Sequence, residues 1–332
     1  MKTKFLFLSL LLCSTLSFSQ TMIRVKSGEK IQNVIDDINT PAGSILILDP
    51  GNYEGFTVFK RISIIGSGYS NGNNISSING RVTFSKNNNT NSENSIMLGC
   101  NIENIDVGQD NVTIQRCRLN SVFTSISIGR VNNCRVSQCF IIGSIGLDGN
   151  ATNFIIQNNL IQSRVDIPFI TGVASGKIIN NTVGFLSTAC NPLGYRFTTN
   201  GVTISNNIFI SPITCDNRDA NLNYPTATFA KFINNIIRKG NYQSTDPTNK
   251  ILTDMTTLFA NIGSSDAQYT LSATSPAKGA GEGGTDCGAF GGTEPYIIGG
   301  TPLGPIIEDL QVPSTARQNE VIKIKLKAKV QN

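Results

Sequence analysis

Apolar residues recur at fixed places in a seven-residue unit that appears six times in the middle of the chain. The copies begin at Thr113, Arg135, Ile155, Lys177, Thr203 and Lys231. The second and seventh positions of each copy are aliphatic or aromatic. The fifth positions are Cys117, Cys139, Asn159, Asn181, Asn207 and Asn235, which are separated by 22, 20, 22, 26 and 28 residues. A period in this range is the signature of a stacked-repeat protein.

The spacing inside each unit predicts one strand, a tight corner and a second strand. Because residues two apart in a strand point to the same face, the second position faces inward on the first strand and the seventh on the next. The fifth position then lies at the corner. Stacking coils about 4.8 Å apart places each corner amide on the one below, where an asparagine ladder satisfies a buried turn. The predicted fold is therefore all-β, a parallel β-helix.

Further segments resemble the pectate-lyase-like right-handed parallel β-helix superfamily. Residues 28–38 are similar to that family's amphipathic capping helix, and residues 43–68 to its first coil. Ser275-Pro276-Ala277 and the stretch 286–291 resemble its closing coil. The resemblance covers about residues 27–292 and implies the fold. It leaves the function open, because the same scaffold carries lyases, hydrolases, adhesins and binding modules.

Both ends of the chain differ in composition from the repeats. The start has Lys2 and Lys4, an apolar run at 5–12 and small residues up to Ser19, which predicts a signal peptide over 1–19. We expect a secreted or cell-surface protein that does not span the membrane, with a β-helix over 20–292 and a β tail over 293–332. In that tail, apolar residues alternate with lysines from Ile322 to Val330. The pattern predicts a strand whose lysines either discourage aggregation or grip an acidic polysaccharide.

Histidine is absent, and the formal net charge is only +5. The first fact excludes Ser-His-Asp and Cys-His catalysis and zinc sites that need imidazole. The second gives no support for a nucleic-acid partner, which requires a clustered basic face. Whether the protein is an enzyme is open. An enzyme of this composition would have to use carboxylates, Lys, Arg, Tyr or a bound metal.

Four charged residues precede the ladder strands, where relatives that degrade polysaccharides carry their groove. They are Arg130, Asp148, Arg164 and Asp166. A β-eliminating lyase needs a base and a cation that neutralises the uronate, so these residues are weak catalytic candidates and Ca²⁺ is the one cofactor considered. The competing interpretation is that they are solvated or paired across coils. The catalytic signatures of pectate lyases and polygalacturonases are missing, and we assign no metal site.

Two lengthened coils, at about 184–200 and 211–228, suggest a binding region. They and the next coil carry Tyr195, Phe197, Tyr224 and Tyr242. Aromatic faces suit sugar rings, although each ring could instead cover the core of its own loop. The resulting hypothesis is a protein that binds or processes an extended polysaccharide. The alternative is a non-catalytic surface or adhesive module, and the oligomeric state is open.

Eight cysteines are present, of which seven follow the predicted signal peptide. Cys190 and Cys215 fall at nearly equivalent places in adjacent coils, so they are candidates for a disulfide in an exported protein. Cys117 and Cys139 also stack, but inside the repeat. We expect those two to be buried thiols that act as small apolar fillers.

Overall fold

A computed structural model describes residues 20–70, 74–121, 124–163, 165–166, 174–184, 201–210, 231–238, 246–301, 305–311 and 325–330. The predicted all-β fold is confirmed as a parallel β-solenoid. Its first twelve strands are β1 (Met22–Val25), β2 (Ser44–Leu48), β3 (Gly51–Val58), β4 (Ile62–Ile65), β5 (Ser76–Phe84), β6 (Ile96–Leu98), β7 (Asn101–Val107), β8 (Thr113–Gln115), β9 (Arg118–Leu119), β10 (Thr124–Ile128), β11 (Arg135–Ser137) and β12 (Phe140–Ile141).

The remaining strands are β13 (Ser144–Leu147), β14 (Phe154–Gln157), β15 (Leu160–Ile161), β16 (Val165–Asp166), β17 (Ser175–Ile179), β18 (Thr182–Val183), β19 (Gly201–Ser205), β20 (Ile208–Phe209), β21 (Lys231–Ile233), β22 (Ile236–Arg238), β23 (Lys250–Leu252), β24 (Pro305–Gln311) and β25 (Lys325–Val330). Within the described ranges there is one α-helix, α1, which spans Ile31–Asp36. Three short 3₁₀ turns span Ala267–Tyr269, Glu282–Gly284 and Ile298–Gly300.

The strands form three faces around one core. Face A is a ten-stranded parallel sheet in the order β1-β2-β4-β6-β8-β11-β14-β17-β19-β21. The other sheet branches at β7, whose first half pairs with β9 and whose second half pairs with β10. We call the branch β9-β12-β15-β18-β20-β22-β23 face B. Face C is the branch β10-β13-β16 together with the second halves of β3, β5 and β7.

The inward positions are those that the repeat predicts. The second-position residues Ile114, Val136, Ile156, Ile178, Ile204 and Phe232 are at most 8% exposed. The seventh-position residues on face B, from Leu119 to Ile237, are equally buried. Because each coil contributes the same inward positions, the apolar core runs continuously along the solenoid and is the main stabilising term.

The fifth-position residues lie in one column at the corner between faces A and B, and each is fully buried. Asn249 extends this asparagine column by one coil. The side-chain oxygen of each asparagine accepts the backbone N–H of the column residue one coil earlier, at 2.9–3.0 Å, from Cys139 to Asn235. The side-chain amide nitrogens donate to backbone carbonyls, as Asn181 does to Ile156 and Ile179. Polar groups at this buried corner are therefore paired.

Helix α1 lies against β3 at the N-terminal end of the solenoid and is shorter than the predicted 28–38. Its own residues Ile31 and Ile35 are buried. The Gln32 side chain donates to the Thr57 carbonyl at 3.2 Å and accepts the Thr57 N–H at 2.8 Å. Because β5 is the one described strand that pairs with β3, this amide satisfies backbone groups at an open sheet edge.

The expected closing coil at 275–291 is not formed, because this stretch contains no strand and runs back outside the solenoid. We call residues 280–301 the strap. It is held by the fourth-position residues of the repeat, which all have a positive φ of 51–59°. The side chains of these residues form hydrogen bonds with backbone groups of the strap, from the Ala280 carbonyl to the Thr301 carbonyl. In that order, the residues are Asn234, Asn206, Asn180, Asn158, Gln138 and Arg116. The strap thus crosses six coils and continues past the predicted boundary at 292.

The strap and the residues before it cover face B. The outward residues Phe140, Leu160, Ile208 and Ile236 are buried against this second layer. Asp266, 1% exposed, anchors the layer. Its Oδ2 accepts the hydroxyls of two tyrosines and a backbone N–H, from Tyr69 and Tyr296 at 3.1 Å and from Gly299 at 2.7 Å. Burial also raises the pKa of the Tyr296 hydroxyl well above its ordinary value.

Strands β24 and β25, the last described part of the chain, pair antiparallel with each other. Lys325–Val330 is a strand, as the alternation of apolar and lysine residues predicts. The earlier part of that pattern, at 322–324, lies outside the described residues. No helix in the part of the chain that the structure describes is long and apolar enough to cross a membrane.

Candidate functional site

Face C carries two of the charged residues predicted from the sequence. Arg130 follows β10 and Asp148 follows β13, so they lie on adjacent coils. The Arg130 Nε and Asp148 Oδ2 are 3.6 Å apart, and the Arg130 side chain is 75% exposed. Asp148 also accepts hydrogen bonds from the backbone and side chain of Asn150. An ion pair this exposed contributes about 0–1 kcal/mol, as the cross-coil pairing interpretation expects.

The remaining predicted residues are only partly placed. Asp166 belongs to β16, and its backbone lies level with Gly146. By backbone register, Asp166 follows Asp106, Ser127 and Gly146 on successive coils. Asp106 is paired with Arg81 at 2.6 Å. Seven other candidate residues lie outside the described residues. They are Arg164, the aromatic residues Tyr195, Phe197, Tyr224 and Tyr242, and the disulfide candidates Cys190 and Cys215.

Face A presents a row of cations that the sequence analysis missed. The backbone register places Thr113, Arg135, Ile155, Lys177, Thr203 and Lys231 side by side on successive coils. Every second coil therefore carries a positive charge. With coils about 4.8 Å apart, these charges repeat about every 9.6 Å. The signal was present in the first position of the repeat, which faces outward.

The neighbouring outward residues of these strands are uncharged, and Glu294 of the strap pairs with Arg135. The parallel outward row comprises Gln115, Ser137, Gln157, Ile179, Ser205 and Ile233. Strands β8, β11, β14, β17, β19 and β21 contain no aspartate or glutamate. Lys177 and Lys231 are exposed, and neither forms an ion pair with a described residue. Face A thus carries two lysines without an ion-pair partner among the described residues, whereas the carboxylates of Asp106 and Asp148 lie along face C.

A cavity of about 430 Å³ lies at one end of the cation row, between face A and strap residues 293–297. Thr113, Gln115, Arg116, Arg135 and Gln138 line its solenoid side. The Gln138 Oε1 accepts from the Arg116 Nε and the Gln115 Nε2, both at 2.9 Å. Its Nε2 donates to the Pro295 carbonyl at 2.7 Å. Both ends of this amide are therefore fixed, which holds the wall of the cavity in place.

Two guanidinium groups and one carboxylate meet at this cavity. Arg116 is 4% exposed, and its Nη1 donates to the Thr301 carbonyl at 3.0 Å. Burial lowers the pKa of Arg116, and the charge of Glu294 partly opposes that shift. Arg135, whose side chain is 27% exposed, pairs directly with Glu294. Gln157 donates to the same Glu294 oxygen at 2.8 Å.

The described cysteines are free and buried, including Cys117 and Cys139, as predicted for apolar fillers. Burial raises the thiol pKa of Cys134 to about 11 and that of Cys287 to about 12. It also raises the pKa of Cys100 and Cys139 well above the ordinary value. These thiols therefore stay protonated near neutral pH and are poor nucleophiles.

Comparison with known proteins adds no relative to this description. No protein-family model matches the chain, and no curated protein matches it. The structure alone defines the class of protein, a parallel β-solenoid with a strap along one corner and exposed lysines on face A. Function must be argued from the surfaces of that solenoid, because the fold does not imply it.

Proposed function

We propose that the protein binds an extended acidic polysaccharide along face A. The observation that carries the proposal is the pair of exposed lysines Lys177 and Lys231, in register two coils apart on strands that contain no carboxylate. Arg135 continues their row, with its charge offset by Glu294 of the strap. A surface with one sign of charge attracts a polyanion and orients it along the row.

The periodicity favours a polymer. A solenoid repeats its surface at each coil, so a chain of similar residues meets equivalent positions along it. Half-exposed Ile155, Ile179 and Ile233 lie between and beside the cations and offer apolar contact to the C–H faces of sugar rings. Each exposed charge contact is worth about 0.2–1 kcal/mol, so affinity requires several contacts and weakens with salt.

Export and relationship to the pectate-lyase-like superfamily belong to the same proposal. The predicted signal peptide at 1–19 would deliver the protein to extracellular polysaccharides, either released or at the cell surface. Resemblance to that superfamily implies the fold and is compatible with a carbohydrate partner, among the other functions that the scaffold carries. Catalysis by Arg130, Asp148, Arg164 or Asp166 stays a prediction from the sequence. So does stacking on Tyr195, Phe197, Tyr224 and Tyr242.

The test compares binding of polygalacturonate and of neutral dextran by affinity electrophoresis. The parent is expected to be retarded only by the acidic polymer, and less so as salt rises. The double variant Lys177→Gln/Lys231→Gln should bind several-fold to about thirtyfold more weakly, from two contacts of up to about 1 kcal/mol each. The matched control Lys30→Gln/Lys278→Gln removes two exposed lysines outside face A and should bind as the parent does.

Four results would contradict the proposal. They are failure of the parent to bind any glycan, equal retardation by dextran, unchanged binding of the face A double variant, and tighter binding of double-stranded DNA than of any acidic glycan. If the parent binds no glycan, the alternative of a non-catalytic surface or adhesive module is favoured. An increase in ultraviolet absorbance from unsaturated products during incubation would add a lyase activity to the binding function.

A further inference from the structure

We propose that the cavity between the strap and face A is a binding site for the acid group of one acidic sugar residue, anchored by Arg116. The choice of a sugar rests on the proposed function. The anion site itself rests on the contacts around Arg116, Arg135 and Glu294, and would stand if face A bound no polymer.

The corner residues change character at this cavity. At four coils the fourth-position residue is asparagine, which adopts a positive φ readily and reaches the strap with a short amide. At the two coils beside the cavity it is Gln138 and Arg116, with φ of 55° and 52°. Neither residue type favours that backbone conformation. Their longer side chains span the wider gap in which the cavity lies.

Arg116 has a buried charge with neutral partners. Its Nε and Nη1 donate to the Gln138 Oε1 and the Thr301 carbonyl, which carry only partial charges. Its Nη2 makes no hydrogen bond to a described residue. This nitrogen keeps some contact with solvent at the cavity, while burial of the rest of the group disfavours its charge. An anion in the cavity would offset that effect and receive charge-assisted hydrogen bonds.

Glu294 partly fulfils the role that we assign to the ligand. Its carboxylate pairs with Arg135 and accepts from Gln157, so it neutralises one of the two guanidinium groups. The cavity keeps an excess of one positive charge. A bound anion would therefore contact Arg116 and compete with Glu294 for Arg135. Removing the Glu294 charge should strengthen anion binding.

The remaining wall suits a small polyhydroxylated acid. The volume of about 430 Å³ is within the range of about 300–1,000 Å³ typical of small-ligand sites. Thr113 and Gln115 offer a hydroxyl and an amide to sugar hydroxyls, while Pro295 and Ile297 supply an apolar wall. The acid group can be a carboxylate or a sulfate ester, since both present several oxygens to a guanidinium.

The experiment is a ligand-observed NMR titration of the full chain with three sugars: glucuronate, glucose 6-sulfate and glucose. We expect one or both acidic sugars to bind the parent and glucose to bind much more weakly. Arg116→Gln should weaken acidic-sugar binding about tenfold or more, since hydrogen bonds to charged groups are worth about 1.5–3 kcal/mol. Glu294→Gln should strengthen it several-fold, a gain that a poorly folded variant cannot produce.

Separate variants distinguish this site from polymer binding on face A. Lys177→Gln/Lys231→Gln should bind the monosaccharide as the parent does while losing affinity for polygalacturonate. Arg116→Gln should show the opposite pattern. The inference is overturned if neither acidic sugar binds the parent, if glucose binds equally well, or if Glu294→Gln binds the acidic sugars no more tightly than the parent.

Discussion

Replacement of Asn181 by leucine tests how the corner between faces A and B is stabilised. Asn181 is fully buried. Its Oδ1 accepts from the backbone N–H and the side-chain amide of Asn159, at 3.0 and 2.9 Å. Its Nδ2 donates to the carbonyls of Ile156 and Ile179 and to the Asn207 Oδ1. Leucine has similar bulk but can make none of these bonds.

The expected loss of unfolding free energy depends on which hydrogen-bond partners of Asn181 are left unpaired. The Asn159 N–H loses its acceptor inside the core, which costs about 1–3 kcal/mol. The Asn159 side chain keeps its bond to the Val136 carbonyl, and the Asn207 oxygen keeps the Asn181 N–H, so these contribute less. The hydrogen bonds donated to the Ile156 and Ile179 carbonyls are lost as well, so the total loss of unfolding free energy should be near the upper end of that range, about 3 kcal/mol.

The assay is urea unfolding followed by circular dichroism, with midpoints compared at equal m value. Asn33→Leu is the matched control, because Asn33 is exposed on helix α1 and its change should stay within about 0.5 kcal/mol. The reasoning would be refuted if Asn181→Leu lost less than 1 kcal/mol relative to that control. In that case packing alone, and not hydrogen bonding, would stabilise the asparagine column.

Three further predictions concern the second layer and the thiols. Asp266→Asn leaves at least one of the donors around the carboxylate without an acceptor, so the variant should lose about 1–3 kcal/mol of unfolding free energy. The second layer should then become accessible to limited proteolysis, and a parent-like cleavage pattern would contradict this. Gly288→Ala adds a Cβ at 2.6 Å from Ile208 at a φ of +88°, so it should loosen the strap and lower the thermal midpoint, whereas an unchanged midpoint would count against close packing there. The thiol pKa values of Cys134 and Cys287 are raised to about 11 and about 12. At pH 8 both thiols should therefore react with a thiol reagent at least about a hundredfold more slowly in the native protein than in urea, and faster as the pH rises. Equal rates in the native protein and in urea would refute the prediction.

Periodic residues made the solenoid predictable, and the parts without a period were missed. The positions from Ile114 to Phe232 fixed the inward faces because burial repeats at each coil. The strap at 280–301 has no such pattern, and its glycines resemble those of any loop. A signal for it did exist, since the fourth position is polar in every copy. That position was not interpreted, because its partners lie 46 to 185 residues away.

The candidate sites show the same division. The charged residues Arg130 and Asp148 were expected on adjacent coils, and they are. The cation row on face A was overlooked because Arg135, Lys177 and Lys231 are separated by neutral residues along the row and become neighbours only through strand register. The cavity could not be predicted, because Glu294 reaches Arg135 only after the strap reverses direction.

Lysine footprinting tests most directly whether face A is the binding surface. The protein is acetylated under limiting reagent with and without saturating polygalacturonate, and each lysine is quantified by mass spectrometry. We predict that modification of Lys177 and Lys231 falls several-fold in the presence of the polymer, while Lys30 and Lys278 react at unchanged rates. Equal reactivity at Lys177 and Lys231 with the polymer bound, or protection confined to Lys278, would contradict the account.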